Sequence, residues 1–199
     1  MSTSVSAVFR DLLRDRLRGI AELTDAQAEA LESHYNLLVH WNRTLNLTAI
    51  RDLAEVVERH YCESIFLAAR LPAGPLRIVD VGSGAGFPGI PVAVYRPDCS
   101  VTLIESHQRK AVFLKEATRS LPNVRVLARR AEQADETFDM AVSRAVSYRD
   151  LSPSLKVLAS AVDLLSGSES PPAEMGFLWE SPIPLPWGSQ RYLRMGRRA

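Results

Sequence analysis

The stretch Val79-Asp80-Val81-Gly82-Ser83-Gly84-Ala85-Gly86-Phe87-Pro88-Gly89-Ile90-Pro91 gathers the residues of this sequence whose types and spacing best suit ligand chemistry. It reads as a strand that carries an acid near its end and runs into a glycine-dense turn. Glycine has no Cβ to keep a ligand off the backbone and tolerates positive φ, and a helix following the turn offers free N–H groups at its start. Position excludes two nucleotide signatures. A phosphate-binding P-loop needs a lysine after its last glycine, and none is present. The dinucleotide pattern G-x-G-x-x-G would put its third glycine at 87, where Phe87 stands, which disfavours close helix-to-strand packing over a pyrophosphate. What remains is an acid followed by G-x-G-x-G: Asp80 with Gly82, Gly84 and Gly86. A glycine turn that serves tight packing alone is the plain alternative.

Other catalytic constellations are missing from the pattern. Ser83 and Ser143 have no base assigned by spacing, and no G-x-S-x-G elbow occurs. His34, His40, His60 and His107 are scattered, and His60-x-Cys62 lacks two further ligands at zinc spacing, so no metal is expected. The two cysteines, Cys62 and Cys99, support neither a disulfide framework nor a C-x-x-C site.

The acid and glycine pattern resembles the S-adenosylmethionine loop of the Rossmann-like, class I methyltransferases. Their cofactor carries a sulfonium and an amino-acid tail, so a carboxylate such as Asp80 near the loop makes electrostatic sense. Glu105, 23 residues after Gly82 at the end of the next strand, is placed to hydrogen-bond both ribose hydroxyls. Further strings resemble the bacterial 16S ribosomal RNA guanine-N7 methyltransferases, the ribosomal RNA small subunit methyltransferase G family. They are Trp41-Asn42-Arg43 with Asn46-Leu47-Thr48-Ala49-Ile50-Arg51-Asp52, Arg59-His60 followed by Ser64, the extended loop Gly86-Phe87-Pro88-Gly89-Ile90-Pro91, and Ser143-Arg144-Ala145, within about residues 20 to 160.

The resemblance implies methyl transfer from S-adenosylmethionine to N7 of one guanine in 16S ribosomal RNA or the small ribosomal subunit. It implies cofactor contacts from Gly82 and Phe87, an adenine-side pair at Ala131 and Glu132, and Arg144 at the mouth shared by cofactor and substrate. Guanine N7 has an in-plane lone pair and no proton to lose, so a general base is not expected, and alignment of N7, methyl and sulfur is the main task. Arg144 would then hold a phosphate or guanine O6, since a bidentate O6/N7 contact would block the attacked atom. This chain departs from the family at Glu63, where members usually carry aspartate after His-x-x. It departs again at Leu164-Leu165-Ser166-Gly167, where many carry Lys-Gly. A methyltransferase for transfer RNA or a small molecule, and a non-catalytic nucleotide-binding regulatory module, stay open as alternatives.

These residues need a scaffold. Residues 1–71 hold no proline and the single glycine Gly19, with apolar positions at helical spacing. Thr24 and Gln27 form a T-x-x-Q capping box ahead of Leu31, Tyr35, Leu38 and Trp41, and an Asp52-capped helix is predicted to run to about Arg70. Tyr35 and Trp41 lie on the apolar stripe and read as core. After the breaker Leu71-Pro72-Ala73-Gly74-Pro75 come strands at Arg77–Val81, Val101–Glu105, Val124–Leu127 and Phe138–Val142, with a helix over 108–120. A helix is predicted over Leu151–Ala159 with Pro153 in its first turn, then a fifth strand at Ala161–Leu165 and two more at Phe177–Glu180 and Arg191–Met195. The expectation is an α/β, Rossmann-like class I methyltransferase fold with a mainly parallel sheet. Residues 1–72 form an N-terminal helical extension and residues 73–199 the cofactor-binding domain.

Composition bounds the partners. The 199 residues carry 24 Lys+Arg against 23 Asp+Glu, a formal charge of +1 and pI near 7.8, so bulk charge gives no polyanion signal. The near-zero sum is a cancellation: residues 157–190 hold four acids and no Lys or Arg, and residues 191–199 hold four arginines and no acid. RNA contact is therefore expected to be local, from the stretch Arg109 to Arg130 or the tail Arg191, Arg194, Arg197 and Arg198. No apolar run reaches the length of a membrane span and the N-terminus lacks a signal pattern, so a cytoplasmic monomer is expected.

Overall fold

The computed structural model of the chain describes residues 5–198; the first four residues and the last one of the expected domains lie outside the described residues. One sheet organises the molecule, with strands β1 Arg77–Val81, β2 Ser100–Ile104, β3 Val124–Leu127, β4 Phe138–Arg144, β5 Ala159–Ser166, β6 Phe177–Trp179, β7 Ile183–Pro184 and β8 Tyr192–Arg198. The spatial order is β3-β2-β1-β4-β5-β8-β6, with β7 also pairing β8. Strands β1 to β5 run parallel, and β8 is antiparallel to β5. Parallel central strands are covered on both faces, which is why β1 and β2 bury four successive residues each after their first.

One face carries α1 Val5–Arg16, α2 Asp25–Trp41, the helical segments α3 Leu53–Val56 and α4 Glu63–Ala68, α5 Gly89–Tyr95 and α6 Gln108–Ala117. They share a single apolar core with that face of the sheet, centred on Phe9, Leu31, Tyr61, Ile65, Ile90 and Phe113. The other face carries α7 Tyr148–Leu158 and a short 3-10 turn, Ala131–Gln133, over a smaller core. The Thr24–Gln27 capping box forms with both reciprocal hydrogen bonds. Tyr35 stacks on Phe9 at 4.8 Å, and Trp41 meets Phe113 edge-on at 5.9 Å.

Four sequence expectations are corrected. The helix from Asp52 to Arg70 is interrupted by a π-helical turn, Val57–Cys62, and ends at Ala68. Such a turn inserts extra residues into the winding and re-aims the side chains that follow. The helix after β4 starts at Tyr148 because Ser147 caps it by accepting from the Asp150 N–H, so Pro153 falls in the second turn instead of the first. Its strand successor is longer than expected, Ala159–Ser166, and the strand pair β7–β8 adds a rung that the proline-rich loop concealed.

Parallel β5 carries a polar exception on its inner face. Asp163 is 1% exposed, neither carboxylate oxygen has a hydrogen bond, and the nearest cation, Arg197 Nη1, lies 3.8 Å away. Burial first, and then the charge of Glu180, raise its pKa to about 7 against the pull of Arg197. A carboxyl with a raised folded-state pKa adds stability below its unfolded pKa and loses it as pH rises through the folded one. Asp163→Asn should therefore change little near pH 4 and stabilise by roughly 2–4 kcal/mol at pH 8, as read by urea unfolding.

Candidate active site

In an open parallel sheet, ligands bind beyond the carboxyl ends of the strands where the order reverses. Here the chain runs outward from β1 to β3 and then crosses back to β4, so the reversal lies between β1 and β4. A cavity of about 450 Å³ opens at that place. Its floor is Gly82, Ser83, Gly84, Ala85 and Phe87 after β1; Glu105 and Lys110 close one side, Arg144 at the end of β4 with Ala145 and Val146 after it another, and Leu47–Ile50 with His60 form the roof.

The glycine turn is held by backbone bonds. The Gly82 and Ser83 N–H groups both donate to Ile104 O, and the Ser83 hydroxyl donates to Asp80 O. Gly82 has φ +73°, and a Cβ there would come within 2.8 Å of the Val146 Cγ2 methyl. Gly86 has φ +92°, and a Cβ would strike the Ile90 side chain at Cδ1. Asp80 does a different job from the one expected. It has no exposed surface and lies beneath the turn, accepting from the Gly89 N–H at the start of α5 at 2.9 Å. Burial raises its pKa to about 7, with the Gly89 and Ser83 hydrogen bonds opposing. Asp80 thus braces the loop and does not reach the cavity wall.

Glu105 does reach it. One carboxylate oxygen accepts from the Gly84 N–H at 2.9 Å and the other from the His107 N–H at 2.7 Å. The acid therefore ties the end of β2 to the glycine turn while facing the cavity.

The roof is fixed by the Asn42 amide. Its oxygen accepts from the N–H groups of Leu47 and Thr48 at 2.8 and 3.1 Å, and its nitrogen donates to Thr48 O at 2.9 Å. This accounts for the polar residue at the end of α2, buried at the turn into the Asn46–Ile50 segment.

Behind the cavity two histidines and a charged cluster are buried together. His34 Nε2–H donates to Ala85 O and Nδ1 accepts from the Tyr61 hydroxyl; burial lowers its pKa to about 4. His60 meets Thr48 Oγ1 with Nε2 at 2.8 Å and the Arg144 guanidinium with Nδ1, and its ring stacks on Phe87 at 4.6 Å and 21°. Burial, and then the cations Arg144 and Arg59, push its pKa down to about 2. Arg144 also lies 3.7 Å from Glu63, and burial lowers its pKa to about 10, leaving it a cation at neutral pH. Glu63 has no exposed surface and is clasped by the Nε and Nη2 groups of Arg191 at 2.5 Å each.

Of the residues expected at the site, Gly82, Gly84, Phe87, Glu105 and Arg144 line the cavity together. Asp80, Gly86, Ala131 and Glu132 are not on its wall: Gly86 packs against Ile90, and Glu132 accepts from the Ser154 hydroxyl. Sequence reasoning missed Val146, which has no motif, and named Ala145, which holds φ +58° without being glycine, only within its string. Thr48 carried a signal only as part of its string, and Glu63 and Arg191 only become partners through folding. In the tail, Arg198 is exposed, and the other three arginines have partners. Arg191 pairs with Glu63, Arg194 is buried against Ser166 and the Gly167 and Ser168 carbonyls, and Arg197 faces Asp163. In the other stretch, Arg125 pairs with Glu136 and Arg129 with Asp135, and Lys110 reaches the cavity. Among the described residues no three His, Cys, Asp or Glu side chains converge as metal ligands.

The family described as rRNA small subunit methyltransferase G matches residues 27–159. A relative from Chromobacterium violaceum named ribosomal RNA small subunit methyltransferase G is 46% identical over 130 residues, 63% of this chain and 62% of that one. A relative of the same name from Halorhodospira halophila is 43% identical over 142 residues, 69% of this chain and 67% of that one. The chain thus matches less than two thirds of the length of the first of these relatives. Among solved structures, a SAM dependent methyltransferase from Aquifex aeolicus superposes with TM-score 0.58 at 16% identity, covering 73% of this chain and 93% of that one. A putative RNA methyltransferase from Pyrococcus horikoshii gives TM-score 0.51 at 11% identity, covering 83% and 98%. These two likenesses identify the fold as the class I methyltransferase fold.

Removing one partner of a buried pair strands the other charge. Arg191→Met should lower unfolding free energy by about 3–5 kcal/mol, whereas Glu63→Met with Arg191→Met should recover part of that loss. Guanidinium chloride unfolding of both variants checks the order.

Proposed function

The chain belongs to the rRNA small subunit methyltransferase G family, and on that premise we propose that it transfers the methyl group of S-adenosylmethionine to N7 of one guanine in 16S ribosomal RNA. The observation that carries this reading is the meeting of the glycine turn, Glu105 and Arg144 around one cavity at the reversal of the sheet.

The cavity residues fit the cofactor. Gly84 leaves space beside it, where a Cβ would meet nothing nearer than Gly82 O at 3.8 Å, and about 450 Å³ is within the range of small-molecule sites. The bound cofactor would supply a methyl group made electrophilic by a sulfonium. Gly82 and Gly84 present backbone to its amino-acid part, and Glu105 offers its remaining lone pairs to the ribose hydroxyls. Ala131 and Glu132 follow β3 on the adenine side, and Phe87 walls the space between cofactor and base. Asp80 supports the turn from below.

No group in this reading removes a proton, because N7 carries none. Arg144 stays cationic and holds guanine O6 or a flanking phosphate, leaving N7 free for attack. Lys110 and the roof residues Leu47 and Ile50 exclude water from the line of transfer. Residues 1–72 serve as the helical extension that supplies this roof, and residues 73–199 as the cofactor domain. The enzyme acts as a cytosolic monomer on the small ribosomal subunit or its RNA. Among the described residues no helix is long and apolar enough to cross a membrane.

Two measurements test the reading. Calorimetric titration should give heat with S-adenosylmethionine and none with NADH, the reverse favouring a nucleotide-binding regulator. Labelled methyl should appear at N7 of a single guanine in small subunits from a strain lacking the modification, and its appearance in transfer RNA instead would reassign the substrate. Gly82→Asp, which adds strain, a clash with Val146 and a negative charge, should weaken cofactor binding about 100-fold or more. Unchanged affinity would reject the placement of the cofactor on this turn.

A further inference from the structure

Arginine donates and never accepts, so the His60 Nδ1 that meets Arg144 must be bare, and the ring proton must sit on Nε2. Nε2 faces the Thr48 hydroxyl oxygen at 2.8 Å, and this oxygen also accepts from the Ile50 N–H at 3.1 Å. We propose that Thr48 is a positioning residue for Arg144, acting through His60: its hydroxyl receives the Nε2–H, holds the imidazole in the neutral tautomer that can accept from the guanidinium, and so sets where Arg144 meets the target base. The role of Arg144 at the base rests on the methyl-transfer reading above.

The geometry around the ring leaves it little freedom. Asn42 pins the Thr48 backbone through two hydrogen bonds and the adjoining Leu47 N–H through a third, and a β-branched side chain on a pinned backbone has few χ1 options. Phe87 stacks on the ring, so its plane as well as both of its nitrogens is determined. The charged and titratable groups facing it are Arg144 from β4, Arg59 from its own turn, His34 from α2 and Arg191 from the approach to β8. Every one of them disfavours an imidazolium, and Glu63, the nearest acid of the cluster, is taken by Arg191 and Arg144. An imidazolium would also lose its acceptor and turn a proton toward Arg144. With both nitrogens engaged, His60 is no general base.

Nitrogen-15 histidine labelling of the full chain reads the tautomer directly. Two-bond proton–nitrogen NMR should show His60 with a protonated Nε2 and a bare Nδ1 that does not titrate between about pH 5.5 and 8. A protonated Nδ1, or titration in that range, overturns the proposal. In methyl transfer to small ribosomal subunits, Thr48→Val should lower kcat about ten-fold with cofactor Kd within about two-fold, and Thr48→Ser should recover to within about three-fold of wild type. Equal loss in both variants, or a Val loss tracking a lowered unfolding midpoint at assay temperature, overturns it as well. A wild-type chain that methylates no ribosomal particle overturns the proposed reaction, and with it the meeting of Arg144 and base, even where the NMR signature holds. An active chain with the other tautomer overturns the Thr48 role alone.

Discussion

A carboxylate without exposed surface must meet cations or give up its charge, and Glu63 meets two. That requirement draws together three parts of the chain: the helical segment after the π turn, the end of β4, and the approach to β8. Arg191 answers it with a two-pronged clasp, and Arg144 stands behind at longer range. Because Glu63 is satisfied chiefly by Arg191, Arg144 keeps donors for the cavity. The glycine turn lies across the cavity, reached through His60 and its stacked neighbour Phe87.

The cavity therefore has two differently built sides. The floor is backbone, shaped by glycines at positive φ and tied to Glu105, with a buried acid beneath it. The roof and back are side chains whose hydrogen bonds run in series from Asn42 through Thr48 and His60 to Arg144. A backbone floor suits a ligand gripped along its length. A serial chain of side chains suits the exact aim of one donor at one atom, with little entropy left to lose on binding.

Local chemistry is legible in the sequence and long-range pairing is not. The glycine turn, the capping box and the five parallel strands follow from period, cap and breaker residues that lie within a few positions of one another. Glu105 is legible because the strand before it ends where the sheet ends. Asp80 looks like a ligand contact by spacing, yet strand alternation turns it under the loop toward Gly89. Arg191 reads as tail charge, since nothing near it announces a buried acid 128 residues earlier. The π turn is equally hidden: Val57–Cys62 has the apolar spacing of an ordinary helix, so nothing local marks the change of winding.

The distance along the chain between Glu63 and Arg191 also has a meaning in time. At roughly 5–20 residues per second of synthesis, a sequence separation of 128 puts the two side chains on the order of ten seconds apart. Until then the nascent chain holds an acid whose native burial lacks its main counter-charge, with Arg144 of the cavity wall as its remaining cation. A chain stopped short of Arg191 already has every residue of the cavity wall, yet its buried Glu63 lacks the two-pronged partner.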